Sequence, residues 1–164
     1  MELEQRMIIR FNGQVELKPT ELEPKKVHID HRKSLALLGD VITECEDNVK
    51  PRIIGIEGEP GSGKSILAFL LAETGANTVL IHAPTNYNNP SKIGLPPMGD
   101  PTQTFIFDEP NYVTDASLDN YTAMIADKNG IGVFLCQKLS DLPTSVTDAM
   151  VTLKLTREGL TRTA

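Results

Sequence analysis

The chain has few of the features that would place it outside a reducing cell interior. It holds two cysteines among 164 residues, Cys45 and Cys136. Both sit in apolar patterns and neither has metal-ligand spacing, so buried free thiols are expected rather than a disulfide framework. No apolar run approaches the roughly 20 residues that a membrane span needs. The opening MELEQRMIIR lacks the apolar centre of a signal peptide, and a cytoplasmic location is expected. A long basic run is also missing. Lys and Arg number 16 against 22 Asp and Glu, a net charge of −6. A surface of that sign does not coat nucleic acid as a whole, so any DNA contact must come from a local patch or a ring of subunits. Hydrophobic residues at 40% and charged residues at 23% are globular values and argue against global disorder, and the length suits one domain.

What is present is concentrated between residues 52 and 72. The apolar run Ile53-Ile54-Gly55-Ile56 leads into Gly58-Glu59-Pro60-Gly61-Ser62-Gly63-Lys64-Ser65, and Ile66-Leu67-Ala68-Phe69-Leu70-Leu71-Ala72 continues at helical spacing. This is a phosphate-binding loop in its required setting of strand, glycine loop and helix. Gly58, Gly61 and Gly63 are expected to take backbone angles closed to other residues, curling successive N–H groups around an anion. The helix start near Lys64, through Ile66, adds free N–H groups and the positive end of its dipole. Lys64 supplies charge for the β- and γ-phosphates, and the Ser65 hydroxyl is placed to ligate Mg²⁺. A plain glycine turn between a core strand and a core helix would not require the full spacing ending in Lys-Ser.

Upstream, Met7, Ile9 and Phe11 alternate, as do Val15 and Leu17, with Asn12-Gly13 between them. That pattern predicts a β-hairpin, followed by a polar linker. Residues 1–32 are thus read as hairpin and linker, and 33–164 as the core. From Ser34 to Glu46 the spacing of Leu35, Leu38, Ile42 and Cys45 predicts an amphipathic helix. Thr78 to His82 reads as a buried strand, with a structural role favoured for the histidine. Pro84, Pro90, Pro96, Pro97 and Pro101 make residues 84–103 an irregular loop.

Thr104-Phe105-Ile106-Phe107-Asp108-Glu109 is the second motif. A hydrophobic strand ending in two acids delivers carboxylates to the C-terminal edge of a parallel sheet, where open α/β sheets bind ligands. Asp108 is expected in the Mg²⁺ shell and Glu109 as the group that orients or deprotonates water. A helix over Asp115–Asp127, a strand over Ile131–Cys136 and a last strand over residues 149–155 complete the pattern. Gln137 closes the middle one of these, beside the phosphate loop, where an amide can sense a γ-phosphate or its water.

The order of strand, phosphate loop, helix, strand, acid-terminated strand, helix, strand-Gln and final strand resembles that of the RecA-like P-loop ATPases. The segment from Gly130 through Gln137-Lys138-Leu139-Ser140-Asp141-Leu142-Pro143 to Gly159 is similar to the FtsK/HerA branch. The likeness covers residues 50–160. It implies an α/β fold with a mostly parallel sheet flanked by helices, ATP and Mg²⁺ as cofactors, and an oligomeric, commonly hexameric, motor acting on DNA. It also implies an arginine reaching into a neighbour's site, for which Arg157, Arg162 and Arg52 are the candidates. The chain departs from that branch in being short and lacking an obvious DNA-guiding domain. Two rivals stay open: an AAA+-type ATPase that loads or remodels a protein, and a small-molecule P-loop kinase. A slow regulatory switch is a further reading.

Overall fold

The computed structural model describes residues 7–11, 15–19, 32–47, 53–74, 78–82, 104–127, 130–148 and 150–163. The proline-rich stretch 84–103 and residues 12–13 expected at the hairpin turn lie outside them, as does Arg52; of the linker expected over 18–32, residues 20–31 lie outside, while 18–19 are strand and Arg32 begins a helix.

The described elements are β1 (Met7–Phe11), β2 (Val15–Pro19), α1 (Arg32–Asp47), β3 (Ile53–Gly58), α2 (Lys64–Thr74), β4 (Thr78–His82), β5 (Thr104–Asp108), α3 (Asp115–Asp127), β6 (Ile131–Cys136), α4 (Thr144–Thr147), β7 (Met150–Thr156) and β8 (Gly159–Arg162). Single 3₁₀ turns cover Pro110–Tyr112 and Leu139–Asp141. All eight strands form one sheet in the order β2-β1-β4-β5-β6-β3-β7-β8. The strands from β1 across to β7 run parallel. β2 and β8 close the two edges antiparallel. The fold is therefore α/β with a mostly parallel sheet flanked by helices, and the N-terminal hairpin extends that sheet through β1 and β4. α1 begins at Arg32 and α3 spans the expected 115–127.

Alternation along the strands builds two cores. Ile54 and Ile56 of β3, Ile106 of β5, Val133 and Leu135 of β6, and Leu153 and Leu155 of β7 face one way, against Leu67, Ala68, Leu71 and Ala72 of α2 and Leu38, Val41 and Cys45 of α1. Ile53, Phe105, Phe107, Phe134 and Cys136 face the other way, against Leu118, Tyr121 and Ile125 of α3. Here Phe107 stacks on Phe134 at 4.6 Å between centroids and 5° between planes, and Tyr121 meets Phe105 and Phe107 edge-on. Each fully buried phenylalanine stabilises the fold by about 1.5–3 kcal/mol through apolar surface removed from water. With both faces covered, the central strands read as continuous apolar runs.

The sequence reading ended the sheet at the strand 149–155, and β8 corrects it. Glu158 and the positive φ of Gly159 (129°) turn the chain back on β7. β8 is then held against α1. The Leu160 N–H donates to Ser34 Oγ at 3.1 Å, and Arg162 forms a two-pronged pair with Glu44 at 2.8 and 2.9 Å.

Candidate functional site

β3 delivers the loop to the C-terminal edge of the sheet, and α2 carries it away. Gly61 and Gly63 have φ of 82° and 95°, in the left-handed region that favours glycine. Gly58 does not, which corrects the expectation for that residue. It is a glycine because a Cβ there would lie 2.6 Å from Ser62 Oγ and 3.0 Å from the Leu155 carbonyl oxygen. Between them Glu59 and Pro60 are exposed at the tip, and the Ser62 N–H donates to the Glu59 carbonyl at 3.1 Å. The first α2 bond runs from the Leu67 N–H to the Gly63 carbonyl at 2.9 Å. The N–H groups of Lys64, Ser65 and Ile66 consequently have no intrahelical acceptor and add to the local positive potential.

Lys64 is buried at 7% exposure, and its Nζ donates to the carbonyls of Gly58 (2.7 Å) and Glu59 (3.2 Å). The ammonium is folded back onto the loop it belongs to. The Ser62 hydroxyl is buried, with no hydrogen-bond partner. A hydroxyl left in that state costs about 1–3 kcal/mol, which an anion oxygen in the nest would relieve.

Asp108 arrives by period-2 alternation. It shares the α2-facing side of β5 with Ile106, so its carboxylate meets the first turn of α2. Ser65 Oγ donates to Asp108 Oδ2 at 2.9 Å, and Asp108 is 1% exposed. A hydroxyl and a carboxylate side by side at the start of α2 are hard oxygen donors of the kind that suit Mg²⁺. The donor set fits the metal.

Glu109 follows outside the strand. Its φ and ψ of 60° and 55° place it in the left-handed region, where a non-glycine residue costs about 1–2 kcal/mol. Its N–H donates to the Leu135 carbonyl at 2.9 Å and Pro110 begins a 3₁₀ turn immediately after, so the strained conformation is held from both sides. The side chain is half-buried. Residues held in this region against their preference cluster at functional sites.

β6 lies between β5 and β3, with Leu135 opposite Asp108 and Cys136 opposite Glu57. Gln137 therefore emerges between the acid-bearing strand and the loop-bearing strand, exposed. The fold thus brings residues 58–66, Asp108, Glu109 and Gln137 to one sheet edge. His82 ends β4 opposite Asp108. The Cys136 thiol beneath this edge is pushed up to about 12, by burial first and then by the carboxylates of Glu109, Glu57 and Asp141, against the opposing pull of Lys64.

Sequence reasoning missed how Lys64 bonds to its own loop, the backbone strain at Glu109 and the placement of Arg157. The first two depend on backbone geometry that residue types do not encode. The third had a signal in Glu158-Gly159, turn residues ahead of the apolar Leu160. No protein-family model matches the chain, and no curated protein matches it in sequence.

Proposed function

We propose that this chain is a Mg²⁺-dependent ATP hydrolase of the P-loop class, resembling the FtsK/HerA branch of the RecA-like ATPases and acting on DNA as an oligomer. The observation that carries the hydrolase reading is the 2.9 Å hydrogen bond from Ser65 Oγ to Asp108 Oδ2. It brings the last residue of the loop motif into contact with the strand-end acid, 43 residues apart in sequence, as the hydrolase reading requires.

In this reading the amides of the loop and first helical turn hold the phosphates, and the buried Ser62 hydroxyl gains an acceptor. Lys64 exchanges its carbonyl contacts for phosphate oxygens and offsets charge as the γ-phosphoryl departs. Ser65 and Asp108 would hold Mg²⁺, which would supply charge neutralisation to the phosphates. Glu109 takes the proton of the attacking water. Gln137, between the two strands, carries the loss of the γ-phosphate to the 138–143 turn. The DNA and oligomer parts rest on the similarity of residues 130–159 to the FtsK/HerA branch.

ATP hydrolysis measured alone, with double-stranded DNA and with single-stranded DNA, alongside a mass measurement in ATP, tests the whole reading. Lys64→Ala should weaken nucleotide binding itself in a fluorescent-nucleotide titration. Turnover stimulated by a protein and not by DNA would favour the AAA+-type remodeller, and phosphate transfer only to an added acceptor would favour the kinase. Absence of nucleotide binding by the wild type refutes the proposal outright.

A further inference from the structure

The three arginines that could complete the site are not equivalent in the fold. Arg52 lies outside the described residues. Arg162 is committed to Glu44 in the pair that pins β8 to α1. Arg157 is different. It occupies the tip of the β7–β8 hairpin and is exposed, and its Nη2 lies 3.6 Å from where a side chain on Gly61 would begin. Among the described residues no carboxylate pairs with it.

The topology explains the approach. β7 is the neighbour of β3 on the side away from β6, in register through Gly58 opposite Leu155. Two residues beyond Leu155, the chain stands over the loop that follows Gly58. The tip is held there rather than trailing. The Glu158 N–H donates to Thr156 Oγ1 at 3.2 Å, Gly159 makes the turn, and β8 is fastened to α1 through Ser34 and Arg162. Charge balance points the same way. The edge carries carboxylates at Glu57, Asp108 and Glu109, against Lys64, and a triphosphate adds several more negative charges. A guanidinium poised over the loop offsets them and offers a planar fork suited to phosphate oxygens.

We propose that Arg157 binds the phosphates of the nucleotide held by its own loop, so that the β7–β8 hairpin contributes a guanidinium to the site in cis. The inference rests on the nucleotide-binding reading above and adds one contact to it. The resemblance assigns an arginine to a neighbour; Arg157 is a phosphate contact supplied by the same chain as the loop.

The test titrates a fluorescent ATP analogue into wild type, Arg157→Ala and Arg157→Lys, with tripolyphosphate as competitor. Losing a charge-assisted contact should weaken both ATP and tripolyphosphate by about ten- to a hundredfold in Arg157→Ala, with partial recovery in Arg157→Lys. Because Arg157 is exposed at a turn, the thermal unfolding midpoint without nucleotide should not move. Hydrolysis by an Arg157→Ala and Lys64→Ala mixture should stay at the level of the separate variants, since each subunit needs both groups. Unchanged affinity in Arg157→Ala, with wild type binding normally, overturns the inference and leaves the hydrolase reading standing. Weakened ATP with unchanged tripolyphosphate overturns it in favour of a base or ribose contact. Recovered turnover in the mixture overturns the cis assignment. A wild type that binds neither ligand sinks both proposals, and is recognisable before any variant is made.

Discussion

Replacing Asp108 by Asn separates a carboxylate kept for a metal from one kept for the fold. At 1% exposure the charged group carries a desolvation penalty of several kcal/mol. The Ser65 bond returns about 1.5–3 kcal/mol as a charge-assisted contact and about 1 kcal/mol as the neutral one that Asn retains. Without nucleotide, Asp108→Asn keeps the Ser65 contact and sheds the charge, so its stability should stay within about 2 kcal/mol of wild type. With Mg²⁺ and ATP at a hundred times the dissociation constant, wild type gains about 2.7 kcal/mol. That is about 5–10 °C in unfolding midpoint for a domain of this size. In the variant the Mg²⁺-dependent part of that rise should vanish. Differential scanning fluorimetry with ATP plus Mg²⁺ and with ATP plus chelator reads both quantities in one plate. A variant destabilised by more than about 2 kcal/mol without ligand, or one that keeps the full Mg²⁺-dependent rise, would refute the metal assignment and make Asp108 a structural acid. Ser65→Ala is the matching control. It takes a donor from a buried carboxylate, so it should cost about 1–3 kcal/mol of stability as well as the Mg²⁺ response.

Glu109→Gln should bind ATP normally and hydrolyse it orders of magnitude more slowly, read by phosphate release under single-turnover conditions. Glu109→Asn should also lose hydrolysis yet gain about 0.5–1 kcal/mol in urea unfolding, because asparagine tolerates the left-handed backbone that glutamate is forced into. Gly132→Ala places a methyl 2.9 Å from Ile125 Cδ1 and 3.0 Å from the Phe134 ring. It should cost about 1–3 kcal/mol by overpacking without changing nucleotide affinity, whereas Gly58→Ala should abolish binding. In the alkaline range, burial pushes Tyr121 and Cys136 up to about 12 from ordinary values of 10.0 and 9.0. A raised value means that the folded state holds its proton longer than the unfolded chain. The two contributions are therefore complete below about pH 9 and are lost as pH rises through about 12, a fall that Cys136→Ala should reduce in pH-dependent urea titrations.

What could be read from residue types was whatever depends on local periodicity. β3, β5 and β6 are covered on both faces, so their apolar runs marked them out, and α3 announced itself through Leu118, Tyr121 and Ile125. The position of the loop between β3 and α2, and of the acids at the end of β5, was legible because glycine spacing and an apolar run ending in acids mark those boundaries. The pairing of Ser65 with Asp108 was an expectation about a sheet, since it depends on β6 being inserted between β5 and β3, and no local pattern encodes strand order. β8 was lost for the opposite reason. An edge strand of four residues whose last two (Thr161, Arg162) are exposed carries almost no alternation, and it is tied down by Ser34 and Glu44 far away in the chain.

The arginine question shows what this costs a sequence-level argument. Composition offers Arg52, Arg157 and Arg162 as equals, and a resemblance to ring-forming motors directs attention to the neighbouring subunit. The edge strand decides between them. Once β8 folds back on β7, the residue at the turn is fixed over the loop that begins beside Leu155, while the residue near the end of β8 is drawn away to Glu44. In the proposed reading one short strand gives the two arginines opposite roles, Arg162 as fastening and Arg157 as a contact for the phosphates. The fastening is itself testable, because the hairpin tip is only as well placed as β8 is held. Arg162→Ala should therefore lower nucleotide affinity while Arg157 remains in place, and it should add little further loss in an Arg157→Ala background. Fully additive losses in the double variant would mean that the two arginines act independently, and that β8 does not position the hairpin.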